Sequence, residues 1–304
     1  MKNLLLGMLA MAAMVSCSSE NDPIDDVAGG KQDKVEIKLN AGVVGVETKS
    51  PVVSWSNTEV SFANKTGGTG SYATTTPWFA KIADGGSVSF VNAEGATESH
   101  YYEADGSTTS LIGYYPRGTY NNGIVIYSLT GEEDIMVSQE LSGDKNTPMT
   151  NTETKFKFEH LLSQLKFIVK SGENFGTGVK VTKIVLNGTN TSATLTLTGA
   201  SPALTFGSDA APLTIYDKAE GADIASSTAA VATKMVQPGV SGMTLDITAG
   251  GTEYTGIPIT IANSNNAPDA STAYDITLTF SKKEVAAEAE IGEWKTGTGS
   301  ADVF

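Results

Sequence analysis

The chain has 304 residues, of which 40% are hydrophobic and 18% are charged. At about 100–200 residues per domain, this length predicts two domains with enough apolar residues for two cores. The formal net charge of −14 would repel a phosphate backbone, so we expect no nucleic-acid partner. One cysteine and two histidines exclude a disulfide framework and a Cys/His zinc site, and no other motif indicates a metal or a cofactor.

Residues 1–16 have the pattern of a secretory signal peptide. Lys2 gives a short positive region, and an apolar run from Leu4 to Val15 follows it. This run is too short to cross a bilayer core of about 30 Å as a helix. Beyond it stands Cys17, the only cysteine, in a pattern that resembles a bacterial lipobox, whose cysteine is acylated and becomes the first residue. We therefore expect a lipid anchor in the cell outer membrane. The alternative is an ordinary secretory signal in which the cysteine occurs by chance.

Residues 17–34 are predicted to form an acidic tether between the lipid and the folded part. The stretch carries Glu20, Asp22, Asp25 and Asp26 together with a proline and two glycines, and it has no apolar period. An acidic stretch directly after the cysteine is similar to the surface-export signals of lipoproteins. This stretch therefore predicts exposure at the cell surface.

From residue 35 onward the dominant period of hydrophobicity is two, which is typical of half-buried strands. The clearest segment is 35–41, in which Val35, Ile37 and Leu39 should face the core. Eight further segments alternate in a similar way: 124–129, 156–158, 165–169, 193–198, 213–216, 243–248, 257–261 and 274–280.

Two stretches lack this alternation. Residues 217–233 are rich in alanine, so they fit a short helix, but Gly221 and several serines and threonines fit a loop equally well. Residues 160–164 fit one helical turn between two strands.

The predicted fold is all-β. Many short strands with turns at close intervals indicate sandwiches or barrels, and the length indicates two in series. The polar stretch 142–154 marks the join. We therefore expect an N-terminal β-sandwich over residues 35–155 and a C-terminal one over residues 156–304.

Catalytic chemistry has little support in this sequence. His160 lies between apolar residues, which favours a packed or hydrogen-bonded structural histidine. His100 lies near Glu98 and Glu103, but one histidine and two carboxylates have no defined metal-ligand spacing. Neither a G-x-S-x-G elbow nor a Walker A loop occurs. We expect no enzymatic activity, and a hydrolase with an unrecognised site is the least favoured hypothesis.

A glycan-binding module is the stronger alternative. Trp55, Trp78 and the pairs Tyr101–Tyr102 and Tyr114–Tyr115 could form a platform on which sugars stack, as in a monomeric surface lipoprotein. The same rings could instead fill the cores of the sandwiches. Aromatic residues make up only 8% of the chain, which favours the cores.

Seven short motifs follow one another along almost the whole chain. They are the lipobox ending at Cys17, then Glu47-Thr-Lys-Ser50, Tyr114-Tyr-Pro116, Asp134-Ile-Met-Val137, Phe158-Glu-His-Leu-Leu-Ser-Gln-Leu165, Tyr274-Asp-Ile-Thr-Leu-Thr-Phe280 and Trp294-Lys-Thr-Gly297. In this order they resemble the fimbrillin family (FimA/Mfa-like, type V pilins) of Bacteroidetes. The resemblance implies two transthyretin-like β-sandwich domains in tandem, export as a lipoprotein, and assembly with other pilin subunits into a surface pilus that supports adhesion. It also implies a maturation protease that removes the first strand.

The cleavage position implied by the resemblance departs from the family pattern. The family usually carries arginine there, whereas this chain has Lys49 followed by Ser50 and Pro51. A strictly arginine-specific protease would not cut this bond. A trypsin-like protease that accepts lysine could do so.

Strand physics suggests how such cleavage would cause assembly. Removing 35–41 would expose an apolar groove and an open sheet edge, which a strand from another chain could fill by β-augmentation. Residues 287–291 alternate, and Trp294 could anchor in a pocket, so the carboxyl-terminal segment is a candidate donor. The alternative is that residues 287–294 complete the sheet of their own domain.

Overall fold

The computed structural model describes residues 34–44, 55–67, 70–149, 155–172, 178–198, 201–208, 210–224, 230–281 and 285–291. Within these ranges there are twenty strands and no α-helix, and the only other regular element is a 3-10 turn at Tyr72–Thr74. The all-β prediction is therefore confirmed. No described segment is a helix long and apolar enough to cross a membrane. The predicted signal peptide, the lipidation site, the tether up to residue 33, the cleavage position at Lys49–Ser50, and residues 292–304 lie outside the described residues.

The strands are numbered in chain order. Their bounds are β1 Leu39–Val43, β2 Thr58–Thr66, β3 Trp78–Ile82, β4 Ser87–Val91, β5 Thr109–Tyr115, β6 Thr119–Asn121, β7 Ile124–Ser128, β8 Met136–Ser138, β9 Leu141–Gly143, β10 Phe156–His160, β11 Ser163–Ser171, β12 Lys180–Asn187, β13 Ser192–Thr196, β14 Ala203–Phe206, β15 Leu213–Asp223, β16 Ala230–Val236, β17 Thr244–Ala249, β18 Thr252–Ile261, β19 Ala273–Phe280 and β20 Val285–Ile291.

The first sheet closes on itself. Its strand order is β2-β3-β4-β1-β10-β8-β5-β9, and β5 also pairs with β2, so that the seven strands other than β9 form a ring. Alternate side chains of each strand point into the ring and make one core. Aromatic rings dominate this core, and Phe62 meets Phe156 edge to face with 5.0 Å between their centroids.

A four-stranded sheet covers one side of this ring in the order β14-β13-β7-β6. A second core lies between them, with Ile112 and Tyr114 from β5 on one side and Val125, Tyr127 and Leu195 on the other. Because β5 faces the ring core on one side and this second core on the other, its first six residues are all buried.

The remaining strands form a third sheet in the order β15-β12-β17-β18-β20-β19-β11-β16. Its alternating apolar residues enclose a separate core that includes Phe167, Ile184, Leu245, Ile276 and Phe280. The last strand, β20, lies inside this sheet, parallel to β18 and antiparallel to β19.

Two local predictions are wrong. Residues 160–164 form no helical turn, because β10 ends at His160 and β11 begins at Ser163. The described residues of the stretch 217–233 are also not helical: β15 continues to Asp223, and β16 begins at Ala230. Pairing of β15 with β12 overrides the helix propensity of the alanines.

The division of the chain at residue 155 stays a prediction. Three strand pairings cross this position, because β10 pairs with β1 and β8, and β13 pairs with β7. Strands on both sides of residue 155 therefore contribute to the sheets that surround the first two cores.

Candidate assembly site

The first strand fills a gap between two strands that do not otherwise meet. It runs parallel to β10, with Ala41 opposite Phe156, and antiparallel to β4, with Leu39 opposite Val88. β4 and β10 do not pair with each other. The ring is therefore closed at this point by β1.

Further backbone hydrogen bonds hold β1 and the residues before it. The amide of Ile37 donates to the carbonyl of His100 at 2.8 Å, and the carbonyl of Val35 accepts from Tyr102 at 3.0 Å. Further along, the amide of Ala41 donates to the carbonyl of Gly86 at 2.8 Å. The segment 35–44, which we call the first strand segment, is thus bonded along most of its length.

The inward side chains of this segment follow the predicted period of two. Ile37 is 2% exposed, and Leu39 and Ala41 are each 4% exposed, whereas Lys38 between them is exposed. Val35 is half-buried against the same core. The expected orientation of Val35, Ile37 and Leu39 is therefore found in the structure.

A glycine allows the close approach between β1 and its antiparallel neighbour. Gly86 has φ +91°, and a Cβ built on it would lie 2.2 Å from the carbonyl oxygen of Ala41. Any larger residue at this position would push the first strand segment away from β4.

The packing around the first strand segment is incomplete on the β4 side. A cleft of about 470 Å³ lies between residues 36–40 and β4, and residues 97–99 form its third wall. Its polar groups include Glu36 and Glu98, and Ser99 Oγ donates to Glu36 Oε1 at 2.8 Å. The first strand segment therefore packs more completely against β10 than against β4.

Removing this segment would cost a large part of a typical domain's stability. Burial of Ile37 and Leu39 contributes about 1.5–3 kcal/mol for each side chain. Each backbone hydrogen bond contributes a net of about 0.5–1.5 kcal/mol more. Typical domains are stable by only about 5–15 kcal/mol, so a subunit without the segment would have a strong tendency to bind a replacement strand.

His100 belongs to the wall of this region and has a structural environment. Its ring stacks on Trp78 with 4.0 Å between centroids, and it meets Phe90 edge-on at 4.9 Å. Burial lowers the pKa of His100, and the carboxylate of Glu98, 3.9 Å from Nε2, opposes this shift. Across the described ranges, no three histidine, cysteine or acidic side chains come together as a metal site.

His160 is a buried, hydrogen-bonded histidine, as the sequence predicts. Its Nδ1 lies 2.8 Å from Oδ1 of Asp134, and both side chains are almost completely inaccessible to solvent. The hydroxyl of Ser271 donates to the backbone carbonyl of His160. These contacts fix the end of β10, which is one of the two strands that hold β1.

The aromatic residues considered for a glycan platform do not form one. Trp55, Tyr102 and Tyr114 are 5%, 4% and 1% exposed and belong to the cores. Trp78 is stacked on His100, and Tyr101 is 45% exposed. The platform hypothesis is wrong for the three buried rings, because their faces are covered by protein.

The alternative prediction, that residues 287–294 complete a sheet of their own chain, is confirmed as far as Ile291. β20 lies between β18 and β19, with Ala287 opposite Ile259 on one side and Leu278 on the other. Val285 and Ala289 are buried in the same core. Residues up to Ile291 complete the sheet of their own half of the chain.

Sequence reasoning did not identify the partners of the first strand. The alternation at 156–158 indicates a strand, but nothing local indicates that this strand pairs with residue 41. Gly86 carries the one local signal, because a Gly-Gly pair before an apolar alternation marks a turn followed by a strand.

The comparisons with known proteins agree with this architecture. The fimbrillin-like family profile matches residues 54–294. A candidate cell adhesion protein from Bacteroides uniformis is similar in structure, with a TM-score of 0.60 at 20% identity, over 88% of this chain and 100% of that one. Another from Bacteroides ovatus has a TM-score of 0.57 at 16% identity, over 87% and 99%. A third from Bacteroides fragilis has a TM-score of 0.53 at 14% identity, over 87% and 99%. No curated protein matches the chain significantly.

These structural neighbours share an all-β fold with this chain. Because the family profile matches more than half of its residues, the chain belongs to the fimbrillin-like family. Membership of this family supports a pilus-type or adhesion role at the cell surface.

Proposed function

We propose that this protein is a structural subunit of a cell-surface pilus that assembles by strand exchange. In this proposal the chain is exported as a lipoprotein anchored at Cys17 in the outer membrane, and cleavage between Lys49 and Ser50 releases the first strand segment. The subunit then takes a strand from another pilin subunit. It has no catalytic role, and its biological effect is adhesion.

The observation that carries the proposal is the position of β1 between β4 and β10. Loss of a strand from the end of a sheet exposes one edge, whereas loss of β1 would expose two edges that face each other. Between them would lie the positions of Ile37, Leu39 and Ala41, which face the aromatic core. An incoming strand could pair on both sides at once and bury its own alternate residues there.

The geometry of β1 also restricts the strand that would replace it. The incoming strand would have to run parallel to β10 and antiparallel to β4. It would also have to bring a backbone carbonyl close to Gly86, where β1 places the carbonyl of Ala41. Because β20 already has two neighbours, we assign donation to the residues after Ile291.

Limited proteolysis of the purified precursor tests this function. Brief trypsin treatment should release a fragment that ends at Lys49 and should convert monomers into oligomers. Lys49→Gln should block both effects, because it removes the cleavage site and leaves β1 untouched. Lys34→Gln is the matched control and should oligomerise like the parent. Mass spectrometry must distinguish cleavage after Lys49 from cleavage after Lys34 or Lys38.

Light scattering gives the decisive result. If the cleaved protein loses the fragment but stays monomeric and folded at high concentration, strand exchange is wrong for this subunit. If the fragment is cut but remains bound, the first strand segment does not act as a detachable element.

A further inference from the structure

The four-stranded sheet ends in a short edge strand that carries no charge. β14 pairs with β13 on one side, and no other described strand pairs with its second side. Residues 201–208 include no charged residue, and the only proline, Pro202, precedes the strand. Natural sheet edges are usually protected by charges, bulges, internal prolines or very short strands, because open edges pair with other chains.

The other sheet ends that the structure describes carry charge or are shorter: β16, at one end of the third sheet, carries Lys234, and β9, at the end of the first sheet, has three residues. β15, at the end of the third sheet, carries Asp217, Lys218 and Glu220, which are exposed. β6, at the opposite end of the four-stranded sheet, has only three residues. β14 is thus the longer of the two end strands of its sheet, and it carries no charged residue.

Apolar side chains also remain partly uncovered at this edge. Leu204 and Phe206 point inward and pack against the second core, but both stay partly accessible. Neighbouring strands normally cover such side chains from both sides. A further strand next to β14 would complete this cover.

The outer face of the same sheet is uncharged as well. The outward residues of its four strands are threonine, serine, asparagine, alanine and isoleucine, and Ile126 among them is 49% exposed. Roughly a quarter to a third of surface residues are charged in soluble domains. The absence of charge here contrasts with the net charge of −14 on the whole chain.

We infer that two copies of this chain associate through antiparallel pairing of their β14 edges. A second copy is the expected occupant because an antiparallel edge is complementary to itself under a two-fold axis. Two copies that each carry −14 would repel one another over most of their surfaces, whereas this sheet brings no like charges together. The association does not require cleavage of the first strand segment and goes beyond the proposed strand exchange.

Pairing of the two edges has only a few possible registers. Opposite residues of an antiparallel pair point to the same face of the sheet. The inner faces of both copies must remain on their own cores, so Thr205 would lie opposite either Ala203 or Thr205 of the second copy. In both registers, long side chains placed at position 205 of the two copies would reach each other.

A contact of this size is expected to be weak between single subunits. β14 has four residues, so the buried area would fall below the roughly 1,200–2,000 Å² of stable complexes. Repetition along a polymer would add many such contacts without any new surface. The consequence would be side-by-side association of fibres.

Charge placed at the edge tests this inference on the uncleaved protein. Thr205 is exposed, and Thr119 occupies the same row of the sheet on β6, so that lysine at each position changes charge equally. In sedimentation equilibrium, the parent should dimerise weakly with rising concentration. Thr205→Lys should weaken the dimer at least tenfold, and Thr119→Lys should not. An unchanged thermal midpoint would show that both variants fold.

A charge exchange gives the positive result. Thr205→Glu alone should also weaken the dimer, and a mixture of Thr205→Lys with Thr205→Glu should restore it as a heterodimer. The inference is overturned if the parent remains monomeric up to millimolar concentration, if Thr119→Lys weakens the dimer as much as Thr205→Lys, or if the mixture does not recover. None of these outcomes depends on cleavage after Lys49, so strand exchange can fail or hold independently.

Discussion

The first and last described strands of this protein occupy similar positions but are held differently. Each lies between two strands, parallel to one and antiparallel to the other. β1 has three residue pairs with β10 and two with β4. β20 has three with β18 and seven with β19. The terminal strand at the carboxyl end is therefore bonded over a much longer register.

The side chains of the two strands differ in the same sense. β1 and the residues before it place larger groups, Ile37 and Leu39, into their core, beside a cleft of about 470 Å³. β20 places Val285 and the small Ala287 and Ala289 into its core. The first strand segment thus contributes two large buried side chains, whereas β20 has the longer strand pairing.

This difference supports the proposal that the first strand, and not the last, leaves the subunit. A strand with few residue pairs and an open cleft on one side can detach without breaking its neighbours apart. Its neighbour β10 is separately fixed by the buried contact of His160 with Asp134. The first strand thus closes a ring, and its neighbour β10 is held in place by other contacts.

The largest effect should come from shortening an inward side chain of the first strand segment. Leu39→Ala should lower the free energy of unfolding by about 2–5 kcal/mol, because it removes a buried side chain and leaves a cavity. Urea denaturation measures this loss. Lys38→Ala is the matched control and should change stability by less than about 0.5 kcal/mol, since its side chain is 73% exposed. Equal effects of the two variants would mean that β1 contributes little to the core.

A smaller effect should follow from enlarging a small residue of the last strand. Ala289→Leu should cost about 1–3 kcal/mol, because Ala289 is fully buried and the added methylene groups would overpack the core. Glu288→Gln, on the adjacent half-buried position, is the control and should be nearly neutral. If Ala289→Leu is also neutral in thermal unfolding, β20 is as loosely held as β1, and the contrast between the two strands is lost.

Local alternation predicts those strands that have one buried face. The first strand segment and β19 are examples, because their buried residues recur at every second position. β5 shows no such period, since its two faces touch two different cores and nearly all of its residues are buried. The alanine-rich residues 217–223 were also unpredictable as a strand, because pairing with β12, remote in sequence, decides their conformation.

The candidate site could be predicted only in part. The period of two gives the inward residues Ile37 and Leu39, but the parallel pairing of β1 with β10 joins residues more than a hundred positions apart. No local pattern specifies such a pairing. The aromatic pairs at 101–102 and 114–115 look similar in sequence, and only the fold separates the exposed Tyr101 from the buried Tyr102 and Tyr114.

The central claim is that the first strand segment leaves the subunit during assembly. The most direct test is the amino-terminal residue of the protein isolated from fibres on the cell surface, determined by mass spectrometry of its terminal peptide. The account predicts Ser50 as the first residue, with residues 35–41 absent from the assembled subunit. A subunit in the fibre that still begins at Cys17 and retains Ile37 and Leu39 would contradict it.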